Sequence, residues 1–288
     1  MKKILILVIV LFNAILPTFA LDDCKFFRII FPNSEERAVK KVLNSQVKYA
    51  NRMDYNKFIS TFAPKYVNSD GFNLDVYTSI VKDIWDAYDI EYDIEIKDVS
   101  IDGSKAVVNS IEKSYAEISL NKAYDGELKS EANTIYYLEK NEQGIWKVVS
   151  DHVVEETTTI LYGDAKNLDI KLQAPKEIKA NSDYTATLEF VPPNETIAIA
   201  SIASDLVQYP QEQTKEVYRS MPEDNILERI FTSNTENKNE YIIASIGLTK
   251  TAVKDLNIRL SLTGFGYKII RVNVISDLKG EENTNVKN

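Results

Sequence analysis

The apolar residues of this chain change their period near Ala87, and the two periods demand different backbones. Before that point they recur every three or four positions, as on one face of a helix. After it they recur every second position, as on one face of a strand. In DIEYDIEIKDV, Ile90, Tyr92, Ile94 and Ile96 alternate with Asp89, Glu91, Asp93 and Glu95. One face of that strand is apolar and the other acidic.

Three helices are expected in the first part. The stretch from Ser34 places Val39, Val42, Leu43, Val47 and Ala50 on one face, with Ser34 suited to the N-cap and Glu35 and Glu36 to the first turn. Asp54 suits the cap of a second, shorter helix carrying Phe58, Ile59 and Phe62, which Pro64 ends. Asn73 suits the cap of a third, with Val76, Tyr77, Ile80, Val81 and Ile84 along one side. Strands follow at 89–99, 105–119, SEANTIYYLEK and IWKVVSDHVVEETTTIL, with turns at Asp102-Gly103 and Glu142-Gln143-Gly144. Helices followed by an antiparallel meander predict an α+β domain over residues 34–162.

The pattern changes again at Gly163. Short β-rich runs separated by turn signals such as Pro192-Pro193-Asn194 continue to Ile275, and they predict an antiparallel sandwich over residues 166–276. It lacks the Cys…Trp…Cys pattern of antibody domains, so "immunoglobulin-like" describes architecture alone. The tail at 277–288 is polar and is expected to be disordered.

Residues 1–20, MKKILILVIVLFNAILPTFA, run from positive to apolar to small, the order of a secretory signal peptide. The apolar stretch is short of the roughly 20 residues that span a bilayer. The expected location is therefore exported, periplasmic or secreted, with residues 21–33 a linker and no membrane insertion after cleavage. Asp22 and Asp23 precede Cys24 where lipid attachment would need small residues. One cysteine and one histidine leave no intrachain disulfide and no Cys/His metal cluster. The formal charge of −9 becomes −11 when Lys2 and Lys3 leave with the leader, and no basic run offers phosphate contacts, so nucleic acid is excluded as a partner.

The run Gly144, Trp146, Lys147, Val148, Val149, Ser150, Asp151 and His152 in the last meander strand, with the helix-two segment MDYNKFISTFAPKYV, resembles the nuclear transport factor 2-like superfamily. That group includes SnoaL-like cyclases and ketosteroid isomerases, and the resemblance covers residues 34–161. It implies a curved sheet wrapped on a long helix, a cone whose cavity serves as active site, ligand pocket or core. It also implies a homodimer through the outer face of that sheet. The fold expected overall is an α+β cone-shaped domain, three helices on a curved antiparallel sheet, followed by an all-β immunoglobulin-like sandwich.

Strict alternation puts Trp146, Val148, Ser150, His152 and Val154 on one face of the last strand, and Lys147, Val149, Asp151 and Val153 on the other. If the first face looks inward, the pocket candidates are Tyr55, Phe58, Phe62, Tyr77, Trp85, Tyr115, Trp146, Ser150 and His152. His152 is then the candidate catalytic base, since a neutral imidazole accepts a proton near pH 7. A lone histidine is more often structural. The isomerase-like members use an Asp and a Tyr in an apolar pocket; tyrosines abound here, but no acid stands isolated among apolar residues. Asn68-Ser69-Asp70-Gly71 and Asp125-Gly126-Glu127 offer loop oxygens for a cation, yet both fit ordinary turns better. No metal and no cofactor is expected. These readings favour an exported binding or interaction protein holding a small apolar ligand or a protein partner. The alternative is an isomerase, cyclase or hydratase working by general acid–base chemistry.

Overall fold

The computed structural model describes residues 34–211, 214–254 and 257–276. The expected leader, the linker with Cys24 and the polar tail lie outside the described residues. Three helices open the described chain: α1 (Ser34–Ala50), α2 (Tyr55–Ile59) and α3 (Leu74–Ala87). Val39, Leu43, Gln46 and Ala50 form the buried stripe of α1. The caps stand where short polar side chains can satisfy free amides. The Asp54 carboxylate accepts from Lys57 N at 3.3 Å, and Asn73 Oδ1 accepts from Val76 N at 3.0 Å.

An antiparallel meander follows: β1 (Glu91–Asp102), β2 (Lys105–Leu120), β3 (Tyr124–Lys140) and β4 (Trp146–Gly163). After a 3-10 turn at Asp164–Asn167 come β5 (Lys171–Gln173), β6 (Glu177–Lys179), β7 (Asp183–Glu189), β8 (Thr196–Leu206), β9 (Arg219–Ser220), β10 (Ile226–Thr232), β11 (Glu240–Lys254) and β12 (Asn257–Ile275).

The expected pair of separate folds, a cone-shaped α+β domain and then an independent sandwich, is not what the chain forms. The meander and the C-terminal strands share one nine-stranded sheet in the order β1-β2-β3-β4-β12-β11-β8-β9, with β6 added to β12 in parallel. The join is antiparallel pairing of β12 with β4, from Gly264 opposite Gly163 to Ile270 opposite Thr157. Glycine makes that approach feasible. A Cβ on Gly266 would lie 2.4 Å from Ile160 O, and one on Gly264 would lie 2.4 Å from Ala165 N. A small second sheet, β10-β7-β5, covers the C-terminal half of the large one. Leu172, Leu188 and Phe190 from its side meet Ile202, Ile242, Leu248 and Val272 from the large sheet, and Leu161 of β4 belongs to the same core. Among the described residues, those from Val39 onward form one compact unit.

Candidate functional site

Strand β4 is paired with β3 along its length, but β12 borders its other side only from Thr157 to Gly163. The segment after α2 takes the rest. Ala63 N donates to Val148 O at 2.8 Å, Val67 N to Val149 O at 3.2 Å, and Ser69 N to Asp151 O at 2.9 Å. Two bulges interrupt β4. The register with β3 slips once between Val148 and Ser150 and again between Val153 and Glu155. Each slip adds one residue and exchanges the faces of everything beyond it. Trp146 and Val148 point inward before the first bulge, Asp151 and Val153 between the two, and Glu156 after the second.

The inward faces of β1–β4 and the helices enclose a cavity of about 310 Å³. Leu43, Gln46 and Val47 of α1, Phe58 of α2, and Tyr77, Ile80, Ile84 and Trp85 of α3 form one wall. Glu112, Ser114, Ala132, Thr134, Tyr136, Val153 and Glu156 form the other. The aromatic side is a contiguous cluster. Phe58 meets Phe62 edge-on at 5.3 Å, stacks on Tyr77 at 6.5 Å and meets Trp85 at 5.5 Å.

Of the sequence candidates, Phe58, Phe62, Tyr77 and Trp85 line this cavity. The others lie elsewhere. Tyr55 sits beneath Lys82, whose Nζ is 4.1 Å from its ring centroid. Tyr115 is 39% exposed, paired across the sheet with Glu91 and Lys129. Trp146 is buried beside Lys140. Ser150 donates to Val67 O at 2.7 Å. His152, half-buried, pairs with Ile135 and follows Ser150 onto the face opposite Asp151. The expected face is reversed at this point because the Val149 bulge intervenes.

The acid that strict alternation assigned outward is therefore inward. Asp151 is buried and accepts a hydrogen bond from Tyr66 OH. Burial pushes its carboxyl up to about 6; the Tyr66 hydroxyl and Arg271 oppose that rise, and the charge of Asp70 adds to it. Glu112 lies on the inner face of β2. It is half-buried by surface area because it borders the cavity, yet protein surrounds it, and that burial pushes its carboxyl up to about 7. The Tyr136 hydroxyl pulls in the other direction and the Asp151 charge adds to the rise. Burial also raises Glu156, which accepts from Tyr241 OH at 3.2 Å.

Two polar side chains of the wall lack partners. Gln46, 6% exposed, and Thr134, 4% exposed, leave Nε2 and Oγ1 without hydrogen bonds among the described residues. Thr134 lies close enough to Glu112 to favour its ionised form, but without hydrogen-bond geometry. Behind this wall Arg271, with a side chain 1% exposed, holds Asp70 Oδ1 at 2.5 Å and donates through Nε to Asn273 Oδ1 at 2.8 Å. Asn239 Nδ2 reaches the same Asp70 oxygen at 2.7 Å.

The proposed loop oxygens do other work. Asn68 Oδ1 accepts from Asp70 N and Phe72 N at 3.1 and 2.9 Å, an Asx turn, and Asp125-Gly126-Glu127 is part of β3. Among the described residues no group of three or more His, Cys, Asp or Glu side chains could hold a metal ion. No described helix is long and apolar enough to cross a membrane.

No protein-family model matches the chain, and no curated protein matches it. Partial likenesses to solved structures exist. Bd1075 of Bdellovibrio bacteriovorus is 12% identical with a TM-score of 0.33, over 41% of this chain and 39% of its own. A conserved protein of Planctomyces limnophilus is 11% identical with a TM-score of 0.37, over 41% of this chain and 93% of its own. AclR of Streptomyces galilaeus is 15% identical with a TM-score of 0.30, over 40% of this chain and 86% of its own. At such scores these likenesses carry no functional argument.

Proposed function

We propose that this chain is an exported binding protein whose cavity holds a small, largely apolar molecule. The observation that carries the reading is the cavity itself. Its volume of about 310 Å³ is at the lower end for ligand sites, its wall is mainly aliphatic and aromatic, and a few polar groups interrupt it. The export reading rests on the order of residues 1–20, and kinship with the nuclear transport factor 2-like superfamily rests on the Gly144–His152 motif. A homodimer through the outer face of β1–β4 belongs to the same proposal.

The test is to purify the chain from its native host, extract it and identify bound small molecules by mass spectrometry. Ala132→Phe, which fills the cavity from β3, is expected to abolish that cargo while leaving the fold intact. Cargo retained by Ala132→Phe, or none in the native protein and no uptake of added apolar compounds, would sink the reading.

One observation favours a second reading, general acid–base catalysis. Glu112 borders the cavity with its carboxyl raised to about 7, where a side chain can both take and give a proton. In that reading Glu112, not His152, is the base. Turnover that disappears in Glu112→Gln but persists in His152→Ala is the result it requires.

A further inference from the structure

We propose that the cavity selects neutral molecules that carry a hydrogen-bond-accepting head, a carbonyl or its equivalent, seated at Gln46 and Thr134. The inference rests on the ligand-binding reading above and names the class of ligand.

The argument begins with the two orphaned groups. Gln46 Nε2 and Thr134 Oγ1 are buried, line the same cavity and have no partner among the described residues. A buried polar group left unpaired costs about 1–3 kcal/mol, so such groups are rare unless something visits them. Gln46 Nε2 can only donate, so the visitor supplies an acceptor, and the Thr134 hydroxyl, which stands near Glu112 without bonding it, can turn its proton to the same acceptor. Leu43, Val47, Ile80 and Ile84 on the helix wall offer no polar atom and demand an apolar body.

Charge sets the second condition. Glu112 and Glu156 line the wall and Asp151 stands near enough to bias Glu112. The lysine that touches the rim, Lys113, faces Glu131 at 3.4 Å on the outer side of the sheet. An anion would enter against carboxylates with no cation inside to receive it. A cation would suit Glu112 but would present more donors to Gln46, whose need is an acceptor. A neutral acceptor satisfies both conditions.

Four probes of one shape separate these cases: phenylpropanamide, phenylpropanoate, phenylpropylammonium and the hydrocarbon isopentylbenzene. Binding is measured by isothermal titration at pH 8 on the mature chain and on Gln46→Leu and Thr134→Val, the second nearly isosteric and so safe for folding. The amide is expected to bind more tightly than either ion. The preference for amide over hydrocarbon is expected to fall about tenfold in either variant, the loss of one neutral hydrogen bond. The inference is overturned if that preference is unchanged in both variants, or if either ion binds more tightly than the amide. Amide and hydrocarbon binding alike, in wild type and variants, would overturn it while leaving the apolar cavity intact. If none of the four binds, the ligand-binding reading falls with it.

Discussion

Asn273 on β12 donates through Nδ2 to the carbonyl of Val154 at 2.8 Å, and Val154 is the residue that β4 inserts at its second bulge. A bulge leaves a backbone group without its ladder partner, and here a side chain from another strand supplies one. Asn273 is buried, so Asn273→Leu is expected to lower stability by about 1–3 kcal/mol, the cost of leaving that carbonyl unpaired. A shift of the urea midpoint at constant m-value checks it. No shift would mean that the carbonyl finds water instead.

Arg271 holds a similar position for charge. It is the cation of a buried group that includes Asp70, Asp151 and Glu156. Arg271→Met is expected to destabilise by about 3–5 kcal/mol, because removing one partner leaves buried carboxylates uncompensated. The double variant Arg271→Met with Asp70→Asn is expected to recover much of that loss. Equal damage in single and double variants would show that the arginine acts by packing alone.

The sequence makes part of this legible. The caps Asp54 and Asn73 follow from short polar side chains placed ahead of apolar periodicity. The aromatic wall follows in part: Phe58 on α2 and Tyr77 and Trp85 on α3 take the expected helical face, but the second helix stops at Ile59, short of the expected Phe62, which instead bridges to Val148 of β4. Glu112 was legible in principle: Ala106, Val108, Ser110, Glu112, Ser114 and Ala116 share one face of β2, and an acid there lies with the small and apolar residues. The bulges were not legible. Each falls in a Val-Val pair, Val148-Val149 and Val153-Val154, where either residue suits either face, so strict alternation carried His152 inward and Asp151 outward. The join of β4 to β12 spans about a hundred residues of chain. Glycines at 163, 264 and 266 mark it, but glycine alone does not say which strand approaches.

Those glycines can be tested directly. A methyl group on Gly266 would meet Ile160 O at 2.4 Å and Leu161 Cδ2 at 2.6 Å. Gly266→Ala is expected to cost more than about 3 kcal/mol, since the obstruction is backbone that cannot move without parting the strands. Hydrogen exchange is expected to accelerate first at residues 157–163 and 264–270, the paired stretch of β4 and β12. Uniform acceleration across the molecule would contradict a local join.

Stability should also depend on pH in an unusual window. Glu112 rises from its ordinary 4.5 to about 7 and Asp151 from 3.8 to about 6 in the folded chain. The folded state then binds more protons than the unfolded one between those values, so stability is fullest near pH 4 to 5 and declines as pH rises to 7. The carboxylates of Asp54, Glu95, Glu139 and Asp164, outside this buried group, are shifted downward by hydrogen bonds from lysines. They weaken the fold only as pH falls below their ordinary range, so the two effects do not overlap above pH 5. Glu112→Gln is expected to flatten the decline and to stabilise at pH 8 by about 1–3 kcal/mol. Thermal melts from pH 5 to 8 check this; an unchanged slope in Glu112→Gln would place the proton elsewhere.

His152 supplies the sharpest contrast with its neighbour. Both residues sit in the stretch between the bulges of β4, one register position apart, and successive strand side chains face opposite ways. Asp151 turns to Tyr66 and the buried acids, while His152 turns to the side that carries Ser150. His152→Ala is therefore expected to shift stability by less than about 1 kcal/mol and to leave uptake of any cavity ligand within about twofold. Asp151→Ala removes the acceptor of a buried tyrosine hydroxyl and is expected to cost about 2–4 kcal/mol, with a measurable change in ligand affinity through the Tyr66–Tyr77 contact at 5.3 Å. Reversal of that order, with His152 the more sensitive position, would mean that the first bulge does not persist in solution.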